Sequence, residues 1–195
     1  PDFIVIEGAL AGGHLGFKKE DLENQTYQSL EEIFQEVEQV VESFQLNIPI
    51  FVAGGIHQRS DVKHFFKLGV DGVQVASRFI PTYECDASMK YKEAFLKAKK
   101  EEVGLVSSPV GMPGRAFQNE FVQKTKQEKV PIKKCYQCLT PCNLKTTPYC
   151  ISRALIEAVK GNLDEGLIFT GAYGYMQDHL MHVEEVIHEL MEDEK

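Results

Sequence analysis

The apolar positions of this chain follow two rhythms. Short runs of branched and aromatic residues occur at Phe3 to Glu7, Ile50 to Ala53, Gly72 to Ala76 and Gly104 to Ser107. Runs of this kind predict parallel strands covered on both faces. Between them the spacing changes to three and four. Leu30, Ile33, Phe34, Val37, Val41 and Phe44 form an apolar stripe on an otherwise acidic helix. Ser60 reads as the cap of a short helix carrying Val62, Phe65 and Phe66, with Gly69 placed to end it. Tyr91, Ala94, Phe95 and Ala98 predict a third helix. Alternating strand and helix means a parallel sheet with right-handed crossovers, an α/β fold.

Beyond about Lys134 the rhythm breaks. Cys135 to Cys150 is rich in thiols, punctuated by proline and without a period. Ile151 to Lys160 reads as a helix with Gly161 behind it, Gly166 to Gly174 as a glycine and aromatic turn region, and Val183 to Met191 as an amphipathic helix. The predicted organisation is one unit over residues 1–134 and a cysteine-containing loop with C-terminal helices over 135–195.

Charge and composition narrow the function classes. Lys and Arg total 21 against 29 Asp and Glu, a net charge of −8. That balance argues against nucleic acid, which needs a basic face. No apolar run reaches the ~18 residues of a membrane span, and no basic region followed by an apolar stretch marks an export signal. With five cysteines, an odd number, reduced thiols in the cytoplasm are the expectation. The chain opens on Pro1-Asp2, and Phe3 to Ile6 already reads as a buried strand, so upstream residues are expected to be missing.

Three constellations carry candidate chemistry. Glu7-Gly8-Ala9-Leu10-Ala11-Gly12-Gly13-His14-Leu15-Gly16 leaves the end of a strand, where α/β barrels keep their active sites. Its glycines permit close approach of backbone to a flat ligand. His14, held out after Gly12-Gly13, has the ordinary pKa of a neutral-pH proton carrier. A glycine-rich turn with a solvated histidine is the plain alternative. Next come Ala53-Gly54-Gly55-Ile56 and Gly69 to Phe79. Gly54 and Gly55 would offer backbone N–H groups from one strand end, and Ala76 and Ser77 from its neighbour, as a phosphate site requires. Two tight turns would look similar. Last is Cys135-Tyr136-Gln137-Cys138-Leu139-Thr140-Pro141-Cys142, with Cys150 beyond. This C-x2-C-x3-C spacing can wrap a metal or an iron–sulfur cluster, or it can be a loop of free thiols. Cys85 stands apart as a packed thiol. The remaining histidines read as surface or helix-end residues.

These residues together resemble a family. Glu7-Gly8-x-x-Ala11-Gly12-Gly13-His14-x-Gly16 resembles the central signature of nitronate monooxygenases (2-nitropropane dioxygenases) and of the related FMN-type enoyl-acyl-carrier-protein reductases. Ile50 to Ile56 and Gly69 to Phe79 resemble the FMN-phosphate segments of that group. Glu84-Cys85-x-Ala87 and Gly114-Arg115-Ala116-Phe117-x-Asn119 fit it as well. The resemblance implies a TIM (β/α)8 barrel with FMN across the strand ends. This chain would cover the C-terminal half, strands five to eight, plus a helical C-terminal region. His14 is then the catalytic residue. Gly54, Gly55, Ala76 and Ser77 hold the FMN phosphate, Gln74 is a further cofactor contact, and Gly13 approaches the flavin. Ala76 departs from the glycine often found there, which a site using only its N–H tolerates. No metal ligand belongs to this set.

The implied activity is FMN-dependent oxidation of nitroalkanes or nitronates by oxygen. An NAD(P)H-dependent enoyl-acyl-carrier-protein reductase is the alternative, and a metal- or iron–sulfur-binding interaction module is the alternative of another class. A half barrel leaves open sheet edges, so the expected partners, besides a small-molecule substrate, are the missing N-terminal half or a second copy in a homo-oligomer. Neither nucleic acid nor a membrane is expected.

Overall fold

The computed structural model describes residues 1–140 and 142–192. Its first layer is a parallel sheet of β1 (Ile4–Glu7), β3 (Ile50–Ala53) and β4 (Gly72–Gln74), in the order β1-β3-β4. Residues in register lie side by side at the strand ends: Glu7 beside Ala53, and Ala53 beside Gln74. Two helices cover one face. The stripe predicted from Leu30 forms α2 (Leu30–Ser43), started by a reciprocal capping box between Ser29 and Glu32. The next helix, α3 (Arg59–Leu68), starts two residues earlier than Ser60 would place it. The Asp61 carboxylate accepts the N–H groups of His57 and Gln58 at 2.9 Å each, so the turn closes at Gln58. Gly69 ends the helix at φ +100, as its sequence position predicts. Ile6, Phe34, Val52, Val62 and Phe65 make the core between sheet and helices. A C-terminal helix, α7 (Val183–Met191), adds Val186 and Leu190 to it. The opposite face is open. Val5, Phe51 and Val73 border an apolar groove of about 450 Å³ with Ile187 and Met191.

The fourth predicted strand is a correction. Val103–Ser107 (β5) is a strand, but it does not join the parallel sheet. It pairs antiparallel with Pro113–Phe117 (β6), and β6 pairs on its other side with the two-residue β2 (Gly13–His14). The five residues from Ser108 to Met112 are far too few for a parallel crossover, and with Gly111 at φ +84 they reverse the chain into a hairpin. Three parallel strands, not four, are therefore present among the described residues, and no closed barrel is formed by them.

Short helices back the antiparallel sheet. They are α5 (Glu120–Gln127) and α6 (Ile151–Lys160), whose Phe121, Val122, Ile151 and Ala154 pack with Val106 and Ala116. Further helices are α1 (Lys19–Asn24), which the sequence pattern did not reveal, and α4 (Met89–Lys97), the predicted third helix, capped by Ser88. Both larger cores draw on residues from either side of residue 134. Among the described residues no helix is long and apolar enough to cross a membrane.

Candidate functional site

At the carboxyl ends of β1, β3 and β4 the chain encloses a cavity of about 330 Å³, within the ~300–1,000 Å³ range of small-molecule sites. Gly13, Gly54, Gly55, Gln74, Ala76 and Ser77 all line it. Six of the seven residues singled out in the sequence thus meet at one place.

The two glycine turns need to be glycine. Gly54 and Gly55 stand at φ +91 and +79. A Cβ on Gly54 would come within 2.9 Å of the Ala11 nitrogen, and one on Gly55 within 2.9 Å of the Leu10 side chain. Gly13, also left-handed at φ +75, has nothing within 4 Å of its Cβ position, so the space beside it is open. Among the described residues the N–H groups of Gly54, Gly55 and Ala76 find no acceptor in the protein. Gly54 and Gly55 are half-buried and Ala76 is exposed, and N–H donors left free around a cavity suit an anionic group. Ser77 has a further part besides the expected one. Its hydroxyl accepts the N–H of Gly171 at 3.0 Å, which ties the segment Thr170–Gly174 across the cavity mouth.

His14 sits at the margin. It does not line the cavity, but Gly13 before it does, and Phe169, another lining residue, packs edge-on against its ring with centroids 5.0 Å apart. Its Nε2 is 2.6 Å from the Ser108 hydroxyl. Partial burial lowers its pKa from the usual imidazole value, so at neutral pH the ring is uncharged and able to take a proton.

Arg115 holds the glycine-rich loop in place. Its side chain is 9% exposed, and one guanidinium nitrogen donates to the carbonyls of Ala9 and Ala11, each at 2.6 Å. Burial pulls its pKa down from the ordinary arginine value. The same loop is pinned from the other side, where Ala172 N–H donates to the Leu10 carbonyl at 3.0 Å. Gly12 makes this possible, since a Cβ there would lie 2.6 Å from Gly171 N.

Other residues join the site although the sequence pattern assigned them no role in it. Glu7 lines the cavity, and burial raises its carboxyl pKa. His57 is buried there too, its pKa lowered to about 4 by that burial and by the nearby charge of Arg78. Ser108, Phe169 and Thr170 come from distant parts of the chain. The Gly171-Ala172-Tyr173-Gly174 turn was visible as a turn, but its contact with the first loop spans about 160 residues. The four cysteines lie elsewhere, around a second cavity, and no three His, Cys, Asp or Glu groups are placed to hold a metal ion among the described residues.

Known proteins resemble this chain in sequence and in fold. A probable nitronate monooxygenase of Staphylococcus saprophyticus is 33% identical over 123 residues, 63% of this chain and 34% of its own length. One from Bacillus subtilis is 28% identical over 127 residues, covering 65% and 35%. The chain thus spans about a third of the length of these curated relatives. Among solved structures, FabK from Thermotoga maritima superposes with a TM-score of 0.70 at 24% identity, over 97% of this chain and 53% of that one. A nitroalkane oxidase from Streptomyces ansochromogenes gives 0.69 at 20% identity, over 97% and 50%. Both likenesses show the fold. The sequence profile of the nitronate monooxygenase family runs over residues 1–193, from the first strand through the glycine turns to the end of α7, and this chain belongs to that family.

Proposed function

We propose that the chain supplies the phosphate cradle and the proton-handling histidine of a cytoplasmic, FMN-dependent oxidoreductase that oxidises nitroalkanes or nitronates with oxygen, and that its parallel sheet is a section of a TIM barrel. One observation carries the reading. The Gly54-Gly55 turn and Ala76, at neighbouring strand ends, present unpaired N–H groups to a single cavity, with an uncharged histidine beside it. The fit to FMN rests on the same features. Gly54, Gly55 and Ala76 have free donors for a phosphate, and the open space at Gly13 admits a flat ring. Gln74 and Glu7 stand at the strand ends on either side of Ala53, offering polar groups to a ring edge. Bound there, FMN supplies the electron-accepting ring that no side chain provides.

The residues of the chain do the rest. Neutral His14 takes the α-proton from a nitroalkane carbon, and once protonated it balances the charge on the nitro oxygens. Ser108 fixes the ring orientation, and Phe169 shields it from water. The open groove over Val5, Phe51 and Val73 and the free edges of β1 and β4 receive the rest of the barrel, its N-terminal half or a second copy. The likeness to FabK supports a second reading, reduction of an enoyl thioester by NAD(P)H on the same scaffold.

The test is an absorption spectrum of the purified intact protein, with the released cofactor identified, followed by oxygen uptake on adding a nitronate. FMN release with nitronate-dependent uptake is expected. Flavin bleached by NADPH without oxygen, and reoxidised by an enoyl thioester, would select the second reading. A colourless protein that FMN does not reconstitute would overturn both.

A further inference from the structure

The function proposed above makes no use of the cysteine segment. Cys135, Cys138, Cys142 and Cys150 all line one cavity of about 320 Å³, bounded by Tyr149 and Pro109 and distinct from the glycine-lined one. We infer that these four cysteines hold a single zinc ion in a structural site.

The first argument is the form of the C-x2-C turn. The N–H of Gln137 points at the Cys135 sulfur at 3.4 Å, so the turn folds back on its first cysteine and Cys135 and Cys138 reach the same cavity. Gln137 adopts φ +52. Left-handed backbone costs a residue with a Cβ about 1–2 kcal/mol. The two other residues of this kind, Gln25 and Gln45, lie at the ends of α1 and α2. Gln137 ends no helix, and what its conformation does is curl the chain around the two sulfurs.

The second argument is Cys150. It occupies the N-cap of α6, a helix of ten residues, and makes no capping bond with its side chain. Its place at the end of α6 brings it to the cavity that the other three cysteines line. The third is the condition of the segment between α5 and α6. It has no helix or strand among the described residues, and Cys135 and Cys138 are exposed. Val130, Leu139 and Tyr149 tie the segment to the core beside the antiparallel sheet, while the turn of Cys135 and Cys138 stays exposed, and a metal ion is a device that orders such a turn.

The thiols do not yet share a centre. Binding draws them to about 2.3 Å from the ion, and loop folding and metal uptake are one event. Each thiol still protonated releases its proton, and no electron moves. Four thiolates around a divalent cation leave two negative charges, which Lys133, Lys134 and Lys145 of the same segment offset. An all-sulfur tetrahedral set with no open position suits zinc in a structural role. Cys85 lies outside this cavity.

The test measures metal in the full-length protein grown with added zinc, and counts native thiols with a chromogenic disulfide reagent. About one zinc per chain is expected, with Cys85 as the single reactive thiol of the five. Displacing zinc with a mercurial should expose the segment to trypsin at Lys133 and Lys134. The double variant Cys135→Ser, Cys138→Ser should lose zinc, and Cys85→Ser should keep it. Cobalt uptake by the wild-type chain, with tetrahedral thiolate bands, gives a readout that does not depend on any variant folding. Zinc-free protein with all five thiols reactive would overturn the site. So would a brown iron-containing protein, or full zinc retention by the double variant. Flavin content enters none of these readings, so they stand or fall apart from the oxidoreductase proposal.

Discussion

Exchanging Arg115 for methionine tests whether the glycine-rich loop is held by the guanidinium. The side chain is buried and donates at 2.6 Å to the carbonyls of both Ala9 and Ala11. Removing it leaves two buried acceptors unpaired, at about 1–3 kcal/mol each. Methionine has similar reach and fills most of the space, and its burial avoids the cost of desolvating a cation. The net loss is expected at about 2–4 kcal/mol. Arg115→Lys separates charge from geometry. A single guanidinium nitrogen makes both bonds, so a lysine ammonium, with three donors on a more flexible stem, should recover part of the loss. The assay is urea denaturation of each variant with the slope compared to wild type, together with amide hydrogen exchange at Gly12 and Gly13, which should accelerate in both. A methionine variant within about 0.5 kcal/mol of wild type, or a lysine variant no more stable than the methionine one, would refute the clamp.

Other outcomes follow from the same contacts. His14→Asn should lower turnover of the intact enzyme by about 10²–10⁴-fold with little change in FMN affinity. In wild type the acid limb of the pH profile should lie below ~6.5, because burial lowers the His14 pKa; an equal loss of cofactor binding would count against a proton-handling role. His57, whose folded pKa is about 4, contributes stability that is complete above ~6.5 and is lost as pH falls through the folded value; a His57→Gln variant with the same acid-side slope would contradict this. Asn119 caps α5 by accepting the Val122 N–H at 3.1 Å and donates to the carbonyls of Leu163 and Gly166 at 2.8 Å each. Its change to alanine should cost about 2–4 kcal/mol, read as a shift in denaturation midpoint. The hydrogen bond that His182 Nδ1 donates to Glu84 raises the His182 pKa and lowers that of Glu84. The contribution of His182 is therefore present at low pH and lost as pH rises through its raised value, while that of Glu84 is lost as pH falls. In Glu84→Gln the His182 pKa measured by NMR should return toward ~6.5; an unmoved value would remove the pair from consideration.

Elements whose cause is local were legible in the sequence. Ile50–Ala53 forms the strand its branched residues predict, and Ile151–Lys160 ends at Gly161 with φ +91. The glycine turns and Gln74, Ala76 and Ser77 converge because each lies at a strand end, and strand ends in a parallel sheet share one side. What failed depended on partners. Extended residues at Val103–Ser107 do not reveal the direction of the neighbouring strand, and Pro113-Gly114-Arg115 looks unlike a strand because its pairing is set by Leu105 and Gly13 from elsewhere. The cap at Gln58 depends on a side chain three positions on, Asp61, which outcompetes Ser60. The sequence assigned no role to the hydroxyl of Ser77, and it accepts the N–H of Gly171, a contact 94 residues away.

His14 and the glycine turns belong to different sheets, joined across a seam by the bonds of Arg115 to Ala9 and Ala11 and of Ala172 to Leu10. This divides the effects of change within the family. Substitutions in the hairpin Val103–Phe117 and its backing helices re-aim the histidine and reshape the space above it, while the turns at Gly54 and Gly55 keep their form. A lineage can thus exchange one substrate for another by drift in the antiparallel layer alone, with selection on the parallel layer left unaltered.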